Sequence, residues 1–342
     1  MNKPKVLIIY TGGTIGMFKA HADAPLRPFD FDHLMNNIPE MLHLDCEVDT
    51  TTTGDPIDST DMNIERWVQL AKLIGDHYEQ YDGFVVLHGS DTMAFTASAL
   101  SFLLENLSKP VIFTGSQLPI GITRTDAKEN LLTSIEMAAA RNIDGSAMVP
   151  EVAIYFEYKL YRGNRTHKFN SEHFKAFRSP NFPLLAEAGV HLKFHNEYIL
   201  PASSEPLVVH NRLTSEIATL KLFPGMDGEI YKPLLENPRL QGLIIETYGS
   251  GNAPNRTWLH QSIERLIKRG VPVVNISQCV SGSVIHGKYE NSSWLEQLGV
   301  ISGKDMIYEA ATAKMRYLLS KKEEGHSFET YFQENLRGEI SP

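Results

Sequence analysis

Short apolar runs recur along the chain at residues 6–10, 83–87, 111–113, 152–156, 243–245 and 271–276. Each is too short for a helix and rich in β-branched residues, the composition of strands buried on both faces. Between them Ile64, Trp67, Val68, Ala71 and Ile74 recur at helical spacing, as do Leu259, Ile263, Leu266 and Ile267, so helices separate the strands. This alternation predicts an α/β fold built on mostly parallel sheets. It breaks at about residues 195–212, where Pro201, Ser203, Ser204, Glu205 and Pro206 precede a new strand-like run at 217–222. With roughly 150 residues per domain as a guide, the expectation is two parallel-sheet α/β domains: a larger N-terminal one at 1–194, a linker at 195–212 and a smaller C-terminal one at 213–342. The tail through Leu336-Arg337-Gly338-Glu339 reads as a last helix with its exit.

Charge and composition narrow the function. The net charge is -9, and the Lys and Arg residues are scattered, so the counterion-release footprint of a nucleic-acid binder is missing. No run approaches the ~18 apolar residues that span a bilayer, and the first run is too short for a signal-peptide core. Neither nucleic acid nor membrane is an expected partner. The two cysteines, Cys46 and Cys279, lack the spacing of a zinc or redox pair, which fits a reducing cytoplasm. Of the 13 histidines, His21, His33, His43, His77 and His88 show no helical pairing with a carboxylate base and read as structural or solvated. No metal or other cofactor is expected.

Two segments at strand ends carry the candidate chemistry. The first strand runs into Thr11-Gly12-Gly13-Thr14-Ile15-Gly16, hydroxyls and glycines at the edge where open α/β sheets bind ligands. Glycines let backbone N–H groups converge on a developing oxyanion while a hydroxyl faces the substrate. A phosphate loop or a plain tight turn has the same look, although the Gly-Lys-Ser/Thr and Gly-x-Gly-x-x-Gly patterns are missing. The second segment, His88-Gly89-Ser90-Asp91-Thr92-Met93, lies between a buried strand and a helix. Ser90 or Asp91 could serve there simply as the helix N-cap. A hydroxyl beside a carboxylate can also hold an amino acid by its ammonium group and assist a nucleophile.

Together these segments resemble the two signatures of the L-asparaginase family of bacterial type. The resemblance extends, in the family's order, over Asp58-Ser59-Thr60-Asp61-Met62, Phe113-Thr114-Gly115-Ser116-Gln117, Leu160-Tyr161-Arg162-Gly163-Asn164-Arg165, Tyr248-Gly249-Ser250-Gly251-Asn252-Ala253-Pro254 and Gln278-Cys279-Val280-Ser281-Gly282. Arg162-Gly163-Asn164-Arg165 and the tail at Leu336 to Glu339 resemble the cytoplasmic type I branch. The resemblance implies hydrolysis of the side-chain amide of L-asparagine through a threonine acyl-enzyme, in a homodimer or homotetramer. Thr14 would be the nucleophile, and Ser90, Asp91 and Lys168 the second catalytic group. Ser59, Thr60, Ser90 and Asp91 would hold the substrate's α-groups, with the backbone around Ser116 facing the amide. A free lysine is protonated at neutral pH, its pKa being near ~10.4; as a base, Lys168 needs burial to lower that value or Asp91 to relay the proton. Without the family context it reads as a surface lysine.

The chain also departs from the family. Serine stands at position 90 where threonine is usual. The flap at residues 17–28 holds no tyrosine, and Phe18 cannot donate a hydroxyl; Tyr289, in a segment that in this family reaches a neighbouring subunit's site, is the candidate substitute, a packed surface tyrosine the alternative. Some type I enzymes bind asparagine at a second site lined by an arginine just before the Tyr-Gly-x-Gly-Asn motif. Glu246-Thr247 stands there, and a carboxylate repels the effector's carboxylate. Two other functions share the motifs: an amidase subunit for transfer-RNA transamidation, and a catalytically silent amino-acid sensor.

Overall fold

The computed structural model describes residues 3–16, 38–287, 290–321 and 327–341. The flap at 17–28, His21, His33 and Tyr289 lie outside them. Two compact units divide between Asn211 and Arg212.

The first unit carries strands β1 (Lys5–Gly12), β2 (Glu47–Ile57), β3 (Gly83–Leu87), β4 (Leu104–Glu105), β5 (Val111–Thr114), β6 (Val152–Phe156), β7 (Lys159–Arg162), β8 (His167–Lys168), β9 (Phe177–Arg178), β10 (Ala186–Ala188), β11 (Leu192–Phe194) and β12 (Val208–Val209). An 8-stranded sheet runs in the order β11-β10-β7-β6-β5-β3-β1-β2. From β2 to β6 it is parallel; helices Ile64–His77, Met93–Leu103 and Ala127–Ala139 return the chain from β2 to β3, from β3 toward β5 and from β5 to β6. Helix Ala127–Ala139 buries Leu131, Ile135 and Ala138 in a core with Val6, Ile8 and Val85 of the sheet. Helix Met93–Leu103 is apolar nearly all round and buries every residue but Phe95. It packs against helix Ile64–His77, which buries only the stripe Leu70, Ala71 and Ile74.

Within the 8-stranded sheet, β7, β10 and β11 depart from the parallel expectation. β6 and β7 form an antiparallel hairpin through Glu157 and Tyr158, whose φ values of 48° and 64° reverse the chain without room for a crossover helix. β10 and β11 then extend the sheet, also antiparallel. Within the stretch expected as a linker, β12 pairs with β4, and His210 Nε2 lies 2.7 Å from Glu105 Oε2.

The second unit has one parallel sheet, β13 (Ile217–Lys221), β14 (Gly242–Thr247), β15 (Val273–Ser277) and β16 (Ile301–Ser302), in that order. Alternation along β14 sends Leu243 and Ile245 into one core with Leu259, Ile263 and Leu295, and Ile244 into another with Val274, Met315 and Phe332. Helices therefore cover both faces. The last described helix is Phe328–Gln333, and the chain after it does not continue as helix. The Leu336–Glu339 segment instead turns back, and the buried Glu339 carboxylate accepts from Leu336 N and Arg337 N and pairs with Lys314. Among the described residues no helix is long and apolar enough to cross a membrane.

Candidate active site

Parallel strands place all their carboxyl ends on one edge, so the turns after β1, β3 and β5 meet there. The β1–β2 register breaks between Tyr10 and Gly12, setting Gly12 opposite Ile57 and re-aiming the chain as it leaves the sheet. Gly13 follows at φ 88°, and a Cβ added to it would lie 2.5 Å from Gly89 N. A Cβ on Gly89 would in turn lie 2.5 Å from Ser59 Oγ. The missing side chains thus let the Thr14, Ser59 and Ser90 turns touch. Thr11 Oγ1 donates to Leu87 O at 3.0 Å and locks the first turn to the strand beside it.

The second turn is held from beneath by a neutral relay. Gly89 O can only accept, so His88 Nδ1 donates to it at 2.7 Å, and the unprotonated Nε2 accepts from Thr96 Oγ1 at 2.9 Å. Trp67 Nε1 donates to the same hydroxyl at 3.0 Å. Burial pushes the His88 pKa down to about 4, so the ring stays uncharged. Neither Ser90 nor Asp91 caps the following helix. Thr92 occupies the N-cap, with no side-chain cap bond, and its hydroxyl donates to Ser59 O at 2.6 Å. Ser90 and Asp91 are thereby left for other partners.

Lys168 supplies them. Its Nζ donates to Ser90 Oγ at 2.8 Å and to Asp91 Oδ1 at 2.5 Å. The lysine side chain is 15% exposed and the aspartate 59%, so Lys168 is no surface residue. β8 carries it, paired with β9 through Lys168 and Phe177; the buried Phe177 ring packs 5.0 Å from Phe156, and its carbonyl accepts from Tyr161 Oη. Ser59 is 4% exposed. The preceding Asp58 accepts from Thr60 N and Oγ1, both at 2.9 Å, and these two bonds hold its carboxyl below the usual aspartate range. Thr60 therefore turns its hydroxyl into its own turn. Among the described residues Thr14 Oγ1 makes no hydrogen bond, which leaves it open to a ligand.

Ser116 is buried, and its hydroxyl proton is committed to Leu118 O at 2.6 Å, so its side chain has no proton left to donate to a substrate. The sequence does not single out its neighbour Gln117, yet Gln117 Oε1 accepts from Ser90 Oγ at 3.2 Å. Asp126 is equally inconspicuous in the sequence; its carboxylate accepts from Gln117 N and Leu118 N and fixes this third turn. Gln117 lies within one of the family motifs, but nothing local indicates which hydroxyl a glutamine will meet. No cluster of three or more His, Cys, Asp or Glu among the described residues is placed to hold a metal ion.

Residues 5–200 match the family described as "Asparaginase, N-terminal", and residues 216–332 the "Glutaminase/Asparaginase C-terminal domain". L-asparaginase 1 of Escherichia coli is 40% identical over 100% of this chain and 99% of its own. L-asparaginase I of Vibrio cholerae superposes with a TM-score of 0.88 at 38% identity, covering 100% of both chains. A glutamyl-tRNA(Gln) amidotransferase chain from Methanopyrus kandleri is 31% identical over 98% of this chain and 75% of its own.

Proposed function

We infer the chemistry from one premise: this chain belongs to the asparaginase family. It is an amidohydrolase that converts L-asparagine and water to L-aspartate and ammonia through a threonine acyl-enzyme. Our assignment of roles to residues rests on a single observation, the Lys168 ammonium donating to both Ser90 and Asp91 where the Gly13 and Gly89 turns touch.

In this assignment Thr14 Oγ1 attacks the amide carbon, and its proton passes toward the leaving nitrogen as ammonia departs. Water then attacks the acyl-enzyme carbonyl and restores the hydroxyl. The backbone of the Gly12-Gly13 and Ser116 turns surrounds the oxyanion. Asp91, half open to solvent, takes the α-ammonium, and Ser59 the α-carboxylate. Ser90, held by Lys168, orients the attacking oxygen; the Lys168–Asp91 pair keeps that charge in place and the lysine in reach.

We further propose that the protein is cytoplasmic and assembles as a homodimer or homotetramer in which the segment from Gln278 to Tyr289 serves a neighbouring copy. Glu246, which stands where the effector-site arginine of some type I enzymes lies, supports simple hyperbolic dependence on asparagine rather than activation by it. Ammonia release measured side by side on asparagine and glutamine tests the function: turnover of asparagine by the purified protein alone is expected, and its absence would favour a subunit that needs a partner or a sensor. One methylene in a pocket is worth ~1 to 3 kcal/mol, so a preference of roughly 10- to 200-fold is the expected scale.

A further inference from the structure

Ser90 Oγ has one proton and two lone pairs, and what the hydroxyl can do for a bound substrate depends on where that proton points. One lone pair accepts from Lys168 Nζ at 2.8 Å. The proton goes to Gln117 Oε1 at 3.2 Å. The orientation of the glutamine amide follows from its other end: Nε2 lies 3.3 Å from Ser171 O and 3.1 Å from His173 O, two carbonyls that can only accept. Flipping the amide would set three acceptors against each other at that end.

Both ends of Gln117 are held. Its backbone N–H is fixed by the two oxygens of Asp126, at 3.1 and 3.0 Å. The carbonyls it reaches belong to the loop between β8 and β9, where Asn170 Oδ1 accepts from Glu172 N and His173 N at 2.8 Å each. That loop follows Lys168 directly, so one side chain couples the lysine hairpin to the serine hydroxyl.

We propose that Gln117 is a positioning residue which turns the Ser90 proton away from the substrate cleft, so that Ser90 presents a lone pair there. A Thr14 hydroxyl or a water bound at that lone pair donates a hydrogen bond to Ser90 and directs its own lone pair at the carbonyl carbon. This rests on the role given to Ser90 above.

A double-mutant cycle on the full-length protein tests it, with kcat, KM and melting temperature measured for each variant. Gln117→Met is expected to lower kcat about tenfold with KM and melting temperature nearly unchanged. In a Ser90→Ala background the same substitution is expected to change kcat by less than about twofold, because there is no proton left to direct. An unchanged kcat for Gln117→Met, or an equal loss in both backgrounds, would overturn the proposal. Wild-type kcat for Ser90→Ala would instead remove the role of Ser90 itself. Gln117→Glu carries the test independently of how the Met variant folds. A carboxylate repels the two loop carbonyls but a carboxylic acid can donate to one of them, so its kcat relative to wild type is expected to rise as pH falls; a flat ratio would count against the proposal.

Discussion

Gly13 and Gly89 meet backbone to backbone, close enough that a Cβ on the first would lie 2.5 Å from the amide nitrogen of the second. Gly13→Ala should be the more damaging substitution, since its φ of 88° is strained for alanine and the clash is with main chain. Gly89→Ala meets the side chain of Ser59, its Cβ at 2.7 Å and its Oγ at 2.5 Å. It should cost about 1–3 kcal/mol of stability and raise KM by displacing the hydroxyl we assign to the substrate's α-carboxylate. Urea unfolding and steady-state kinetics on both variants check this; Gly89→Ala with an unchanged KM would count against Ser59 as a substrate ligand.

Lys168→Met should separate catalysis from stability. The side chain bridges Ser90 and Asp91, and the aspartate is 59% exposed, so the ion pair contributes at most about 1 kcal/mol to folding. Its loss should nevertheless lower kcat by roughly 10²- to 10³-fold, the usual range for removing one preorganised donor that holds the reacting groups. Lys168→Arg should not rescue, because a planar fork does not reproduce the two directions taken by the ammonium. A thermal melt shifted as severely as the rate would instead mark Lys168 as structural.

The strands β1, β3, β5 and β6 are legible in sequence because each is buried on both faces and so reads as a continuous apolar run. β2 is not, because it is an edge strand whose Thr50, Thr51, Thr52 and Thr53 give no periodic apolar face. The β6–β7 reversal is hidden for another reason: Glu157 and Tyr158 occupy left-handed positions without the glycine or asparagine that signals such a turn. Within the candidate site, Thr14, Ser90 and Asp91 are legible as motif residues, and Lys168 only through the family resemblance. Spacing cannot disclose that Gln117 meets Ser90, a contact between residues 27 apart made by side chains on different turns. Nor does it separate a solvated His88 from the buried, neutral one that braces Gly89.

That neutrality has a pH signature. The folded His88 pKa is about 4, below its ordinary 6.5, so between those values the unfolded chain binds the proton and the native protein does not. The stability it allows is fully present above pH 6.5 and falls as the pH drops toward 4, by up to about 3 kcal/mol at 1.4 kcal/mol per unit. Carboxylates titrate in the same window, so the informative quantity is the difference from a His88→Gln variant. The wild-type protein should lose more stability than the variant between pH 7 and 4.5 in urea unfolding. Parallel slopes would place a charged or exposed ring at position 88.

The central claim is that Thr14 forms the acyl-enzyme while Ser59 and Asp91 hold the substrate's α-groups. Thr14→Ala should therefore abolish turnover and leave aspartate binding nearly intact, since the interaction removed is made only as the reaction proceeds. The most direct measurement is ammonia release by purified Thr14→Ala protein, with contaminating host enzyme excluded and aspartate affinity measured on the same sample by calorimetry. The account predicts no detectable ammonia and an affinity near wild type. Retention of even about a tenth of wild-type turnover, a loss of only ~1.4 kcal/mol in transition-state stabilisation, would contradict it and move the nucleophile to Ser90.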